Sequence, residues 1–222
     1  MKPILTTELM LVAAKKFCNE ISGTYYEDLF GATDGKAVGT FVEHKFQKFL
    51  FDRYDIGIGS SANGLDLPSM NTDIKVTSIK QPQSSCPFKD SKQKIYGLGY
   101  NLIIFVYQKH DNPKTKKGML DILDCVYVDK SRTSDYQMTT GLRSIIANNG
   151  NIEDIFAYLI DHNIPADEVS LMNMAEDIYA NPPQIGYLTI SNALQWRLQY
   201  RRVLSLQENV DGIISILKNG NC

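Results

Sequence analysis

The sequence predicts an α/β fold, in which a core of strands and helices is followed by a helical C-terminal part. Residues 101–108 read Asn-Leu-Ile-Ile-Phe-Val-Tyr-Gln, an apolar run of strand length that suits the centre of a sheet. Residues 72–79 are rich in β-branched side chains and predict a second strand. After Asp129 the hydrophobic pattern changes to helical spacing. A chain of 222 residues that is 43% hydrophobic can fold as one sizeable domain.

The predicted core elements follow one another along the first part of the chain. Residues 7–22 predict a first helix and residues 36–51 a second, because apolar side chains recur at helical spacing in both. A short helix is expected within residues 90–99, where glycines can end it. Residues 120–129 predict a further strand, which would pair with the preceding one as a hairpin with a long loop.

The C-terminal part is predicted to consist of helices joined by short polar turns. Asn181-Pro182-Pro183 interrupts the series, because proline has no N–H to donate and clashes with the preceding helical turn. The predicted helices cover residues 139–148, 152–163, 166–180, 191–207 and 210–217.

Asp66, Asp73 and Lys75 are the most informative polar residues of the chain. They occur in the segment GLDLPSMNTDIKVT, residues 64–77. Alternate residues of a strand point to the same side of a sheet, so Asp73 and Lys75 are expected to share one face. The apolar residues next to them would point into the core. Pro68 and the polar residues after it predict a turn that returns Asp66 to the side of Asp73.

Two carboxylates and an ammonium group in this order suit metal-dependent hydrolysis of a phosphodiester. Carboxylates so close together repel each other, and Mg²⁺ relieves the repulsion because it takes oxygen ligands and retains waters. Lys75 would orient or activate the attacking water. The alternative is a charged strand face exposed to solvent, because an acid-x-Lys triplet occurs by chance in many chains.

A further candidate, Glu43, lies within the predicted helix 36–51. Val42 and Phe46 belong to the apolar face of this helix, and Glu43 stands at the border of that face. From there its carboxylate could reach over the sheet edge to the two aspartates. Alternatively, Glu43 is an exposed helix acid that bonds Gln47 one turn later.

The order of Glu43, Asp66 and the triplet at 73–75 resembles the PD-(D/E)XK nuclease superfamily, which includes most type II restriction endonucleases. The gap between Asp66 and the triplet is similar to that of the MutH mismatch-repair nickase and its restriction-enzyme relatives. The resemblance covers roughly residues 36–128. Two features depart from the common motif. Leu65 replaces the proline that often precedes the first acid, and the second acid is Asp rather than the commoner Glu.

The resemblance implies a restriction-endonuclease-like fold, in which helices flank a mixed central sheet. It also implies magnesium-dependent cleavage of double-stranded DNA. Asp66 and Asp73 would bind Mg²⁺ together with a main-chain carbonyl near Ile74. Lys75 would be the catalytic lysine. Glu43 would be the helix acid found in many members, which binds a second metal ion or orders a water.

A type II restriction endonuclease is the function that these residues favour. Residues 1–222 would form a single nuclease domain, with a catalytic core at about 36–130. A helical part at about 134–222 is a candidate for contributing to DNA recognition. Restriction sites are often palindromic, so a two-fold homodimer is the expected form. Two other functions stay open: a DNA repair or structure-specific nuclease or nickase on the same fold, and a non-catalytic binding module.

Two segments compete for the role of reading DNA bases. Residues 81–87 leave the predicted catalytic strand and are rich in hydrogen-bonding side chains, although they could equally be a polar loop braced by two prolines. Residues 191–202 are predicted as a helix with glutamine and arginine faces, although this basic face could simply be solvated. Glutamine can bond adenine through two hydrogen bonds, and arginine can do so with guanine. The candidate side chains are Gln81, Gln83, Ser84, Ser85, Gln195, Arg197, Gln199, Arg201 and Arg202.

Composition narrows the class of protein further. The net charge of −2 and the pI of about 5.9 differ from those of proteins that coat DNA, which are usually basic, so positive charge must be placed locally. The 4 cysteines and 3 histidines are scattered without close metal-ligand spacing, which argues against zinc. We expect no signal peptide and no membrane span, and a cytoplasmic protein with reduced cysteines.

Overall fold

A mixed β-sheet forms the centre of the molecule in a computed structural model that describes residues 2–57, 64–87, 89–191 and 196–219. Its strands are β1 (Tyr25–Tyr26), β2 (Thr72–Ser78), β4 (Asn101–Asn112), β5 (Lys117–Val128) and β8 (Ile213–Lys218). β2 runs parallel to β4, and β4 is antiparallel to β5. β1 and β8 both pair antiparallel with the other edge of β5, along different stretches. β2 carries the candidate residues Asp73 and Lys75. The apolar strand β4 therefore lies between β2 and the rest of the sheet.

Two helices cover one face of the central sheet. They are α1 (Thr7–Ile21) and α2 (Gly35–Arg53). Between them and the sheet, the rings of Phe17, Phe46 and Phe105 pack with centroids 5.0, 5.1 and 5.7 Å apart, a spacing typical of favourable aromatic pairs. This packing fixes α2, the helix that carries the candidate glutamate, against the sheet.

A second, smaller antiparallel sheet covers the opposite face. It consists of β3 (Gln83–Cys86), β6 (Thr189–Ile190) and β7 (Trp196–Gln199), in the order β3-β7-β6. Trp196 and Leu198 are buried in one hydrophobic cluster with the inward side chains of β4 and β5. The central sheet is therefore enclosed by helices on one side and by this second sheet on the other.

A group of helices has a hydrophobic core of its own. Asp135 ties this group to the second sheet, because its carboxylate accepts the Met138 N–H at a helix start and also the Ile190 N–H at 2.7 Å. The helices are α3 (Gln93–Tyr96), α4 (Tyr136–Ala147), α5 (Ile152–Asp161) and α6 (Glu168–Ala180). None of the helices in the described ranges is both long enough and apolar enough to cross a membrane.

The predicted α/β fold is confirmed, with a mixed sheet and flanking helices. The helix predicted at 36–51 is α2, and the strand predicted at 72–79 is β2. The two later core strands do form a hairpin, but both extend further, so the loop between β4 and β5 is only residues 113–116. Cross-strand pairing continues through polar residues that the apolar pattern alone did not assign to strands.

The prediction of one helix over 191–207 is wrong, because residues 196–199 form a strand and only residues 201–204 of the described part are helical. Residues 192–195 lie outside the described residues. After them come β7 and the four-residue helix α7 (Arg201–Leu204). Along β7, buried Trp196 and Leu198 alternate with exposed residues, and this period of two belongs to a strand with one covered face.

The helix predicted at 210–217 is also wrong. Gly212 has φ 83°, a conformation that interrupts a helix, and β8 begins immediately after it. β8 pairs with the C-terminal half of β5, which would otherwise leave a row of unpaired main-chain groups at the sheet edge. This long-range pairing outweighs the local helical pattern.

Candidate active site

A tight turn folds the chain back between Asp66 and β2. The 3₁₀ turn Pro68–Met70 follows Leu67, and Asn71 then adopts a left-handed conformation with φ 47°. Asparagine tolerates this conformation better than most residues, because its short polar side chain bonds locally. The N–H groups of Leu67 and Thr72 donate to each other's carbonyls at 3.0 and 3.2 Å. The turn therefore brings Asp66 back beside β2.

Asp66, Asp73 and Lys75 meet at this point. Asp66 Oδ2 accepts the N–H of Ile74 at 2.7 Å, and the Asp66 carboxyl group adjoins that of Asp73. Lys75 Nζ lies 2.5 Å from Asp73 Oδ2. The side chains of Asp73 and Lys75 are only 10% and 20% exposed, so water screens this ion pair less than it would a surface pair. The parallel pairing of β2 with buried β4 fixes Asp73 and Lys75, and the bond from the Ile74 N–H attaches Asp66 to them.

The two carboxyl groups sit in an environment that disfavours two negative charges. Burial raises the pKa of Asp73 to about 6; the hydrogen bond with Asp66 adds to the rise, and Lys75 opposes it. Burial also raises the pKa of Asp66, although hydrogen bonds from Asp73 and from the Ile74 N–H counteract part of the effect. The pair therefore shares a proton readily, and a bound cation would take the place of that proton.

Helix α2 contributes two side chains next to Asp66. Glu43 is half-buried, and its negative charge adds to the rise in the pKa of Asp66. One turn later, Gln47 Nε2 donates to the main-chain carbonyl of Asp66 at 3.1 Å. Glu43 thus lies beside Asp66, and Gln47 supports the turn that positions Asp66.

The ligand atoms of Asp66 and Asp73 suit a small, hard cation. Mg²⁺ is commonly bound by one or two carboxylates and retains several waters, so a full set of protein ligands is not required. Across the described ranges, no three or more His, Cys, Asp or Glu side chains are grouped so that they could hold a metal ion by themselves. The facing carboxylates, with their raised pKa values, fit a site that protein and water complete together.

The two segments that compete for base reading are parts of one sheet. β3 comes from the first segment and β7 from the second, and they pair antiparallel. Gln83 lies opposite Gln199, and Ser85 lies opposite Arg197. Directly opposed residues of an antiparallel pair share a face, and three of these four residues are exposed while Gln83 is partly so. The structure therefore brings these four candidates together on one surface.

The remaining DNA-reading candidates are placed elsewhere. Ser84 is on the inner face of β3, where its hydroxyl bonds the buried Tyr200 hydroxyl. Gln81 is exposed in the turn before β3, and Arg201 and Arg202 are exposed on α7. The last candidate, Gln195, lies outside the described residues.

Thr77 is a residue of this region that sequence reasoning missed. It is buried on the same face of β2 as Asp73 and Lys75. Its Oγ1 accepts the Gln83 N–H at 3.0 Å and lies 3.1 Å from the carbonyls of both Gln81 and Gln83, to either of which it can donate. The signal was available, because the strand period that links residues 73 and 75 also includes residue 77.

Comparison with known proteins identifies the family of this chain. The family model described as "Type II restriction enzyme NspV" matches residues 4–215. The type II restriction enzyme NspV of Nostoc sp. (strain ATCC 29411 / PCC 7524) is 50% identical over 216 residues, which are 97% of this chain and 98% of that relative. No solved structure gives a significant match. The chain therefore belongs to the NspV family of type II restriction enzymes, site-specific endonucleases that act on double-stranded DNA.

Proposed function

We propose that this restriction enzyme hydrolyses DNA at Asp66, Asp73 and Lys75, with Mg²⁺ as its cofactor. The observation that carries the proposal is the meeting of two carboxylates and an ammonium group at the start of β2. Lys75 Nζ is 2.5 Å from Asp73 Oδ2, and Asp66 Oδ2 accepts the Ile74 N–H at 2.7 Å. Membership of a restriction-enzyme family supports a nuclease over a non-catalytic binding module.

Each side chain has a distinct role in the proposed reaction. Asp66 and Asp73, together with a main-chain carbonyl near Ile74, would hold the ion. When bound, Mg²⁺ offsets the negative charge that develops on the phosphate and on the leaving oxygen. Lys75 donates a hydrogen bond to the attacking water and aligns it with the phosphorus–oxygen bond that breaks. Asp73 restricts the position of Lys75 through their ion pair.

Glu43 acts beside this group in the proposal. Its carboxylate is half-buried on α2 and lies near Asp66, where it can orient a water or contribute to a second metal site. Because Gln47 bonds the Asp66 main chain rather than a charged group, its role is to position the turn.

DNA contacts outside the cleavage site are also part of the proposal. Arg201 and Arg202 are exposed on α7, where they can bond phosphate oxygens. Gln81, which is exposed before β3, and Gln195, which lies outside the described residues, stay candidates on sequence grounds. The guanidinium carbon of Arg202 lies 3.6 Å from the Tyr136 ring centroid, so stacking limits its motion. We further propose a two-fold homodimer and a cytoplasmic location.

The catalytic assignment is tested by substitution at Asp73 and Lys75. Asp73→Asn removes a metal-binding charge, and Lys75→Met removes the ammonium group while keeping a long side chain. Cleavage of DNA in Mg²⁺ should fall by roughly 10²–10⁴-fold in each variant, as for other losses of a catalytic group. Binding to duplex DNA, measured by fluorescence anisotropy, should remain detectable.

Lys16→Ala provides the matched control. Lys16 is an exposed cation on α1, and α1 packs on the face of the central sheet opposite to the one that carries Asp73 and Lys75. This variant should cleave like the wild type. Wild-type cleavage rates in the Asp73→Asn or Lys75→Met variant would show that the reaction occurs at another site.

A long natural DNA separates a restriction enzyme that cuts both strands from a nickase. The protein is incubated with this DNA and Mg²⁺, and the products are compared on native and denaturing gels. Discrete double-stranded fragments are expected. Products that appear only on the denaturing gel would identify single-strand nicking instead.

A further inference from the structure

We propose that the exposed face of the β3-β7-β6 sheet reads base edges in the major groove and thereby sets the sequence specificity of the enzyme. We call this surface the reading face. The proposal rests on the proposed nuclease function and names the protein surface that selects its substrate. The reading face consists of Gln83, Ser85, Thr189, Arg197 and Gln199.

The strand register gathers these side chains on one side of the sheet. Gln199 lies opposite Gln83 on β3 and opposite Thr189 on β6, so the three form a row across the sheet. Arg197 and Ser85 form the next row on the same face. Residues from distant parts of the chain, 83–85 on β3, 189 on β6 and 197–199 on β7, therefore contribute to one polar surface.

The chemistry of the reading face matches base edges. Arginine pairs with guanine, and glutamine with adenine, through two hydrogen bonds each, and hydroxyl groups accept several partners. A two-stranded antiparallel β-ribbon, such as β3 paired with β7, has a width that the major groove admits. The three strands contain Arg197 and no aspartate or glutamate, although the whole chain has a net charge of −2. Positive charge without an opposing acid favours approach to DNA.

The inner face of the same sheet is anchored in the protein core. Trp196 and Leu198 are almost fully buried, and the Ser84 hydroxyl bonds that of Tyr200, which has no exposed surface. Cys86 Sγ lies 3.7 Å from the Tyr100 hydroxyl. Because the inward side chains are packed and bonded, the backbone that carries the outward ones is held in place before DNA binds, which lowers the entropy cost of recognition.

A direct link joins the reading face to the proposed cleavage site. Thr77 is two residues after Lys75 on β2, and its hydroxyl accepts the Gln83 N–H and can donate to the carbonyl of Gln81 or of Gln83. β3 is thereby attached to the side of β2 on which Asp73 and Lys75 lie. A base read by the sheet is therefore held at a fixed distance from the phosphate to be cut.

Specificity profiles of variants test the proposal. Wild-type digestion of a long natural DNA first maps the recognition sequence. Duplex oligonucleotides with that sequence, and with every single base-pair change in it, then serve as substrates for Gln83→Ala, Arg197→Ala and Gln199→Ala. Each variant should lose roughly 5–150-fold in kcat/KM on the mapped sequence, the loss expected for one good base contact. It should also lose discrimination at a defined base pair and at its symmetry mate.

Arg197→Lys distinguishes base reading from phosphate binding. Lysine keeps the charge but cannot form the two parallel hydrogen bonds of arginine, so the defect of Arg197→Ala should persist. Lys16→Ala is the control and should keep the wild-type profile, and unchanged thermal unfolding would show that all variants fold.

Two results would overturn the reading face alone. One is wild-type discrimination at every base pair in all three alanine variants. The other is an equal fall in kcat/KM on all sequences, with a weaker dependence on salt concentration, that Arg197→Lys restores. That combination would identify phosphate contacts. A wild-type protein that leaves every DNA intact would instead overturn the proposed function, and the reading face with it.

Discussion

At the scale of single residues, the proposed active site depends on two carboxyl groups that cannot both ionise easily. The Asp73 side chain is only 10% exposed, and its pKa is raised to about 6, first by burial and then by Asp66. Each unit of pKa shift corresponds to about 1.4 kcal/mol, so the two negative charges cost free energy when no cation is bound. Carboxyl groups with such raised pKa values are typical of functional sites. We regard the strain between Asp66 and Asp73 as the feature that prepares the site for a cation.

This arrangement predicts that Mg²⁺ stabilises the protein more at pH 7.5 than at pH 5. Asp73 has a higher pKa in the folded than in the unfolded state, so the folded protein binds more protons between about pH 4 and pH 6. The free energy of unfolding without metal therefore falls as pH rises through this window, by roughly 3 kcal/mol from this group. Mg²⁺ competes with the proton, and the increase in Tm that it causes should grow with pH.

Calorimetry with and without Mg²⁺ measures this difference. Asp73→Asn is the matched control, because its side chain is neutral at both pH values, and its Mg²⁺-dependent shift in Tm should be small and independent of pH. An equal shift in Tm at both pH values in the wild type would contradict the prediction.

Sequence reasoning at the residue scale succeeded where a local rule applied. Strand alternation predicted that Asp73 and Lys75 share a face, and turn chemistry predicted the return of Asp66. The sequence reasoning did not extend the same alternation to Thr77. The hydrogen-bond partners of Thr77, at residues 81 and 83, depend on how the chain turns after β2. The placement of Glu43 also needed the packing of α2 on the sheet, which no local pattern supplies.

At the scale of secondary-structure elements, the junction between β2 and β3 joins the proposed cleavage site to the proposed reading face. Thr77 Oγ1 is the centre of this junction, because it accepts from the Gln83 N–H and donates to a carbonyl of the same turn. A buried N–H without a partner costs about 1–3 kcal/mol, so the hydroxyl stabilises the junction more than its size suggests.

We predict that Thr77→Val lowers kcat for cleavage by at least 10-fold, because the misplaced turn allows β3 to move relative to Lys75. The free energy of unfolding should fall by about 1–3 kcal/mol, the cost of the unpaired polar groups. Thr77→Ser keeps the hydroxyl and should restore most of both quantities. Cleavage kinetics and urea unfolding check the pair, and equal defects in Thr77→Val and Thr77→Ser would point to lost methyl packing instead.

The C-terminal strands show why some elements escape prediction. Residues 196–199 and 213–218 become strands because they pair with β3 and β5, which precede them by more than 80 residues. Pairing at such separations is set by the sheet edge that the rest of the fold leaves open. The helices α4 to α6, by contrast, are defined by their own apolar spacing and begin at the side-chain caps Asp135, Asn151 and Asp167.

At the scale of the whole molecule, the chain carries one Asp66–Asp73–Lys75 group, whereas double-stranded DNA has two strands to cut. The strands of a duplex are antiparallel, so two copies related by a two-fold axis would each meet one strand in the same orientation. We therefore predict a homodimer. Light scattering with size-exclusion chromatography should give twice the chain mass of 25.0 kDa.

Mixing experiments test whether the dimer cuts the two strands with separate sites. Wild type is co-expressed with an excess of Asp73→Asn, so that most active sites occur in dimers with one intact and one inactivated copy. Such dimers should nick a plasmid that contains the recognition sequence, and nicked circles should accumulate before linear DNA. A monomer that cuts both strands in turn predicts linear product from the wild-type fraction alone, at a rate unaffected by the variant. A measured mass of one chain, together with a cleavage rate that the variant does not change, would contradict the dimer. The two strands would then be cut by one active site that rebinds in the opposite orientation.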